Sequence, residues 1–427
     1  MRIFYTFFWI CALPLVLARL VWRGRKEPGY RQHIAERFGL YPADRIDDKP
    51  GAALIWLHAV SVGETRAAEP LIRQLMQNYP AHGILLSHMT PTGRATGSAL
   101  FQTEINANRL RQIYLPYDIP ALMRRLLNHF NPDICILMET EVWPNLIHSC
   151  HQKNVPVALV NARLSPRSLH KAERLARLIR PAVQLITCVA AQTAADADRI
   201  TSLGAAHVRV SGNTKFDVTI PAEKMATGHW MRQQWGNRPV LLCASTRDGE
   251  EELLLDAFIE AAIPDLLLII VPRHPQRFDQ VEQSIQQRGL TMQRRTGINL
   301  HPLEKNVRVV LGDSMGELVS YYVSCDIAYI GGSLLPLGGQ NLIEACAVAK
   351  PVLIGPHTFN FEAVSADAIA AGAANRIKDA PDLFRATAAL LMDQELRIAM
   401  GHSGSAFAQQ HGGATERTVE ILKPLMQ

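Results

Sequence analysis

Several short polar stretches in this chain pair residue types that could do chemistry with glycines that let a ligand come close. In the stretch Ala328–Phe361, an apolar run ends at Gly331-Gly332, and Gly338-Gly339 then opens a helix bearing Leu342, Ile343, Ala345, Cys346 and Ala349. Pro351 closes that helix and Val352-Leu353-Ile354 forms the next strand. Glycine turns admit a ligand to the backbone, and a helix N-terminus offers N–H groups and a positive dipole to a phosphate. An ordinary βαβ crossover would carry the same glycines, but Gln340, Asn341 and Glu344 in the first turn favour a ligand with hydroxyls. Arg273 and His274 follow a buried strand and suit a phosphate or carboxylate. Ser314-Met315-Gly316-Glu317 reads either as a capping box, Ser314 to Glu317, or as free N–H groups at Met315–Glu317 for a nucleotide.

Proton transfer needs a different kind of residue. Glu64, after Gly63 in Ser61-Val62-Gly63-Glu64-Thr65, is either a first-turn acid that suits the helix dipole or a general base facing an interdomain cleft. Glu139 and Glu141 stand directly after a buried strand, where an unpaired carboxylate is costly, so one of them is expected to face the cleft. Lys215, in Gly212-Asn213-Thr214-Lys215-Phe216-Asp217, could reach a ligand held between domains.

These residues need a scaffold of strand ends. Apolar runs at Leu54–Val60, Ile84–His88, Gln112–Leu115, Ile134–Met138, Val157–Val160, Leu185–Val189 and Val208–Val210 alternate with helical stretches such as Arg66–Gln77, Pro120–His129, Pro144–Lys153, Ser165–Arg180 and Ala194–Leu203. A second series runs through Val240–Cys243, Leu266–Val271, Arg308–Leu311, Ile327–Ile330 and Val352–Ile354. Continuous apolar strands between helices imply parallel sheets covered on both faces, with ligands at the carboxyl ends of the strands. The expectation is an α/β fold of two doubly wound domains joined by a linker near Phe216–Ala226. The region from Ala380 is helical, and its last helix is expected to cross back onto the first domain.

Before the first strand, Ile3–Trp22 is an almost unbroken apolar segment of bilayer-spanning length, followed by Arg23, Arg25, Lys26, Arg31 and Arg37. The cluster places the rest of the chain on the cytoplasmic side, and the absence of a small-x-small site favours an uncleaved anchor over a signal peptide. A helix lying in the interface is the weaker alternative. The basic helix with Arg167, Lys171, Arg174, Arg177 and Arg180 reads equally as a solvated face or as a rest for anionic headgroups or an anionic lipid substrate.

At 427 residues two large domains are expected, and the net charge of +5, with no basic run interleaved with aromatics, argues against nucleic acid as a partner. The seven cysteines form no C-x-x-C and read as small buried hydrophobes in a reducing compartment. There is no G-x-x-x-x-G-K-[ST], H-E-x-x-H or G-x-S-x-G, and the lone D-x-D, Asp196-Ala197-Asp198, lies in a helical pattern, so neither a metal nor a cofactor is implied.

Taken in order, S-V-G-E-T, M-T-P-T-G, M-E-T-E-V-W-P-N, N-A-R-L-S, G-N-T-K-F-D, R-H-P-x-R-F, G-D-S-M-G-E-L, G-G-S-L with G-G-x-N and Glu344, and G-P-H-T-F-N-F resemble the 3-deoxy-D-manno-octulosonic acid (Kdo) transferases of lipopolysaccharide biosynthesis over nearly the whole chain. The resemblance implies a GT-B glycosyltransferase fold of two Rossmann-like domains facing a cleft, preceded by an N-terminal membrane anchor. The corresponding segments are residues 1–30 for the anchor, 31–216 for the acceptor-binding domain and 217–427 for the CMP-sugar-binding domain. It implies metal-independent, inverting transfer of Kdo from CMP-Kdo to the lipid A precursor at the cytoplasmic face of the inner membrane. Glu64 matches the general base, Glu139 and Lys215 the transition-state stabilisers, and Arg273, His274, Met315, Gly316, Glu317, Asn341, Leu342, Ile343 and Glu344 the CMP contacts. Gln276 and Gln340 depart from the residues of many relatives, Glu and His respectively. The alternatives are another GT-B sugar enzyme, such as a lipid glycosyltransferase or a nucleotide-sugar 2-epimerase, and a membrane-tethered nucleotide-sugar-binding protein without catalysis.

Overall fold

The structure, a computed structural model, describes residues 1–25, 27–42, 53–217, 220–298 and 303–426. The chain divides into two compact units, Met1–Asp217 with Gly412–Gln427, and Val218–His411.

In the first unit the apolar runs become strands because both of their faces are covered. β1 (Leu54–His58), β2 (Gly83–His88), β3 (Leu110–Tyr114), β4 (Ile134–Met138), β5 (Val157–Ala162), β6 (Cys188–Ala191) and β7 (Val208–Val210) form one parallel sheet of order β3-β2-β1-β4-β5-β6-β7. Side chains alternate along β1: Trp56 packs with Leu85, Leu137 and Leu146 on one face, while Ile55 and Leu57 pack with Leu71, Leu86 and Met138 on the other. The order reverses between β1 and β4, so the loops after these two strands flank the crevice of the sheet. Val419 and Leu422 of the helix Ala414–Leu422 complete the Ile55 face. Asp217 fixes that helix start: Oδ1 accepts the Gly413 N–H (2.6 Å) and Oδ2 the Thr415 N–H.

The second unit repeats the design. β8 (Val240–Thr246), β9 (Leu267–Pro272), β10 (Met292–Arg294), β11 (Val309–Leu311), β12 (Ile327–Ile330), β13 (Val352–Ile354) and β14 (Ala374–Arg376) form a parallel sheet of order β10-β11-β9-β8-β12-β13-β14. Its order reverses between β8 and β12.

Local expectations are corrected in four places. The helix expected over Ser165–Arg180 is two helices, Pro166–Arg174 and Ala176–Gln184, broken at Leu175 (φ −109°, ψ 25°). The linker expected to Ala226 gives way to a helix, Ala222–Trp235, which packs on the helix Leu318–Ser324. Gly228 permits that approach, since a Cβ there would lie 2.5 Å from Val323 Cβ. The helix expected to open at Gly338-Gly339 starts only at Ile343 and ends at Ala347. The helix expected near Ser314 starts at Leu318.

The N-terminal helix Arg2–Arg23 is, by length and composition, apolar enough to cross a membrane. Trp9, Leu13 and Val16 pack on Tyr117, Ile119 and Leu122 of the first unit, and the Thr6 hydroxyl accepts the Asn145 side-chain N–H at 2.9 Å. Ile3, Phe4, Phe7, Phe8, Leu15 and Trp22 stay exposed.

Candidate active site

Strand ends place the acids of the first unit. The helix Val62–Asn78 starts after β1 with Ser61 as its extended N-cap residue, which puts Glu64 in the first turn. Glu64 Oε2 accepts the Val60 backbone N–H (2.7 Å) and Oε1 accepts the Ser61 hydroxyl (3.3 Å). The carboxylate therefore does serve the helix start, as the structural alternative requires. Its setting does more than that. Burial above all, opposed by the Val60 bond and aided by the charges of Glu141 and Glu139, pushes its pKa up from 4.5 to about 7. A carboxyl group that titrates near neutrality can accept a proton at working pH and hold it.

Of the two acids after β4, Glu139 is the one paired to Lys215. It is buried and adopts φ +55°, a conformation that costs a non-glycine residue energy and must be held by its surroundings. Lys215 Nζ lies 2.8 Å from its Oε1 and Arg163 Nε lies 3.1 Å from its Oε2. Two cations thus compensate one buried carboxylate and fix its position. Lys215 sits in a short 3₁₀ turn, Thr214–Phe216, where the Asn213 Oδ1 accepts its backbone N–H at 3.0 Å. Glu141 turns instead to the Trp143 indole N–H (2.7 Å), and burial raises its pKa. Arg163 was assigned no role from sequence. The signal available was its place in N-A-R-L-S, just past β5 at the same carboxyl edge of the sheet.

The second unit gathers cations at the ends of β8 and β9. The Arg273 N–H donates to the Thr246 carbonyl at 2.9 Å, tying the two strand ends. Burial first, then Arg247, Arg273 and Arg277, lower the His274 pKa, so its imidazole is held neutral within a cationic group. Arg277 is itself paired with Asp248 (2.9 Å) and Glu251 (2.9 Å). Such a cluster suits a phosphate.

Met315, Gly316 and Glu317 form a loop rather than a first helical turn, with Gly316 at φ +78°. The Glu317 carboxylate accepts the Ser314 hydroxyl and pairs with Arg295 at 3.0 Å, and Arg295 lies over the Trp230 ring at 4.9 Å. Ser314 and Glu317 thus meet side chain to side chain, not through the side-chain-to-backbone bonds of a capping box, and the helix begins at Leu318, after both.

The glycine stretch differs most from expectation. The N–H groups of Gly332 (2.6 Å) and Leu334 (3.0 Å) donate to the buried Glu250 carboxylate, as do the Arg247 N–H (2.9 Å) and the Tyr329 hydroxyl (2.9 Å). These donors are used within the protein. Gly331 is needed for close approach, because a Cβ there would lie 2.6 Å from the Ser245 carbonyl oxygen. Glu250 was missed in the sequence because a run of three acids, Glu250 to Glu252, reads as an exposed helix start. Asn341 Oδ1 accepts the Ile343 N–H at 3.1 Å, and Glu344 lies in the first turn of the short helix that follows Leu342.

A family model described as 3-deoxy-D-manno-octulosonic-acid transferase (kdotransferase) matches residues 32–218. A 3-deoxy-D-manno-octulosonic acid transferase of Bordetella pertussis is 43% identical over 418 residues, covering 95% of this chain and 96% of that protein. The Haemophilus influenzae transferase of the same description is 37% identical over 432 residues, covering 100% of this chain and 99% of its own. Among solved structures, Anabaena Alr3699/HepE in complex with UDP matches with a TM-score of 0.56 at 16% identity, covering 87% of this chain and 99% of that one. That likeness speaks to the fold alone, two Rossmann-like units of the GT-B type. Identities of 43% and 37% over alignments that span both units settle the family: the chain belongs to the 3-deoxy-D-manno-octulosonic acid (Kdo) transferases.

Proposed function

We propose that this Kdo transferase takes Kdo from CMP-Kdo and delivers it, with inversion, to the lipid A precursor lipid IVA, releasing CMP. The acceptor sugar's hydroxyl loses its proton to Glu64 as its oxygen bonds to the anomeric carbon of Kdo. The bond from that carbon to the CMP phosphate oxygen breaks on the opposite face, and the electron pair leaves with the phosphate. Attack opposite the leaving group inverts the centre and needs one base.

Glu139 and Lys215 act together at the transition state. Lys215 supplies a cation for the charge that builds, and Glu139 fixes its position through the 2.8 Å pair. Arg273, His274, Met315, Gly316, Glu317, Asn341, Leu342, Ile343 and Glu344 hold CMP, and the phosphate charge falls to the cations beside His274. In this reading the chain's own cations meet the leaving charge and no metal ion is asked for. Residues 31–216 serve the acceptor and residues 217–427, of which the last helix packs in the first unit, the donor sugar nucleotide. The apolar helix Arg2–Arg23 and the basic residues after it associate the enzyme with the cytoplasmic face of the inner membrane, where a lipid acceptor resides.

The observation that carries the reading is Glu64: a carboxylate in the first turn of the helix that follows β1 at the crevice of the sheet, its pKa raised to about 7. An epimerase or a non-catalytic binding protein would not depend on it for transfer. Glu64→Ala is expected to abolish Kdo transfer while CMP binding stays at the wild-type level. Near-normal turnover in that variant removes Glu64 from the chemistry.

A further inference from the structure

The motif Asn161-Ala162-Arg163-Leu164-Ser165 has so far supplied only the Arg163 partner of Glu139. Its first residue is the odder one. β5 and β6 lose register between Leu159 and Ala162, and within that irregularity Asn161 takes φ +50° while fully buried. Asparagine is one of the few non-glycine residues that tolerates this conformation. The bend turns the Asn161 side chain to the turn that carries Lys215: Oδ1 accepts the Thr214 backbone N–H at 3.2 Å. The Asn161 main-chain carbonyl accepts the Gln192 side-chain N–H at 2.9 Å, which pins the bend to the end of β6. The preceding residue, Val160, receives the Glu139 backbone N–H at 3.0 Å. Two consecutive residues at the end of β5 therefore hold the two halves of the ion pair, Val160 the backbone of Glu139 and Asn161 the backbone next to Lys215. The bonds of the Lys215 N–H to Asn213 Oδ1 and of the Phe216 N–H to the Asn213 carbonyl are local to the turn, whereas the Thr214 N–H reaches Asn161 at the end of β5.

We infer that Asn161 is the positioning residue for Lys215: its side-chain carbonyl fixes the Lys215 turn to the strand that fixes Glu139, and so sets the 2.8 Å pair. The inference rests on the transition-state role given to Lys215 above. A misplacement of about 1 Å at a catalytic group costs on the order of 100-fold in rate, and that is the effect expected when the tie is cut.

Glycine accepts φ +50° freely, so Asn161→Gly removes the oxygen without straining the bend. Asn161→Asp keeps an acceptor in its place. In the full-length enzyme, kcat of N161G is expected to fall about 100-fold. Its Kd for CMP should stay within about twofold of wild type, because CMP contacts lie in the second unit, and N161D should recover most of the loss. Pulse labelling with acetic anhydride, read by peptide mass spectrometry, should modify Lys215 several-fold faster in N161G than in wild type. If N161G does not fold, Asn161→Ser, whose oxygen is too short to reach Thr214, takes its place with the same expectations. Wild-type kcat, or unchanged Lys215 labelling, in the folded variant overturns the inference. Lys215→Ala is run beside it: full activity there would defeat the role of Lys215 itself, whereas an inactive K215A beside an active N161G defeats only the role of Asn161.

Discussion

Replacing Glu64 by glutamine is expected to trade activity for stability, with a pH dependence that identifies the cause. Its carboxyl titrates at about 7 in the folded chain against an ordinary 4.5, chiefly through burial. The folded state therefore binds the proton more tightly than the unfolded state, and stability falls as pH rises from about 4.5 to about 7, then levels. At about 1.4 kcal/mol for each tenfold change in proton affinity, the ionised carboxylate costs the fold about 3 kcal/mol above pH 7. Glutamine keeps an oxygen for the Val60 N–H and does not ionise. Urea unfolding of wild type and E64Q should show a stability gap that opens between pH 5 and pH 8, by about 2 to 3 kcal/mol, in favour of E64Q. Turnover should be lost in E64Q at every pH, while wild-type turnover falls about tenfold per pH unit below 7. A gap equal at pH 5 and pH 8, or a wild-type rate flat down to pH 5.5, would refute the reasoning, because either requires Glu64 to be an ordinary ionised surface acid.

Three further outcomes follow from the same geometry. Glu141→Gln removes one of the charges that raise the Glu64 pKa, so the acidic limb of the pH–rate curve should move to lower pH; a limb that stays in place excludes that coupling. Glu250→Ala leaves the Arg247, Gly332 and Leu334 N–H groups and the Tyr329 hydroxyl without their acceptor, and should cost at least about 3 kcal/mol by denaturant unfolding and weaken CMP binding by calorimetry. Asp217→Ala uncaps the helix Ala414–Leu422 at a cost of about 1 to 2 kcal/mol, seen as faster proteolytic release of the C-terminal residues.

The carboxyl ends of the strands were legible because long apolar runs such as Ile134–Met138 have no other stable home than a doubly covered parallel sheet. Glu64, Glu139, Lys215 and Arg273 were found by looking just past those runs. The two short edge strands β10 and β14 were not, since Met292-Gln293-Arg294 and Ala374-Asn375-Arg376 are three residues each with two of them polar, too little for any periodicity. Helix starts were misplaced where backbone conformation decides them. Gly316 at φ +78° and Gly339 at φ +73° delay their helices, and neither angle is written in the residue type. The pairing of Glu250 with the glycine loop spans more than 80 residues of chain and depends on β8 and β12 being neighbours. The meeting of Glu139, Arg163 and Lys215 is likewise non-local and needs the strand order β4-β5-β6-β7.

The central claim is that the chain joins two substrates, and the direct measurement is CMP release by the purified full-length protein given CMP-Kdo, the lipid A precursor, or both. CMP is expected only when both are present, with the lipid product heavier by whole Kdo residues. CMP released at the same rate without the lipid, or no mass gain on the lipid, would contradict it.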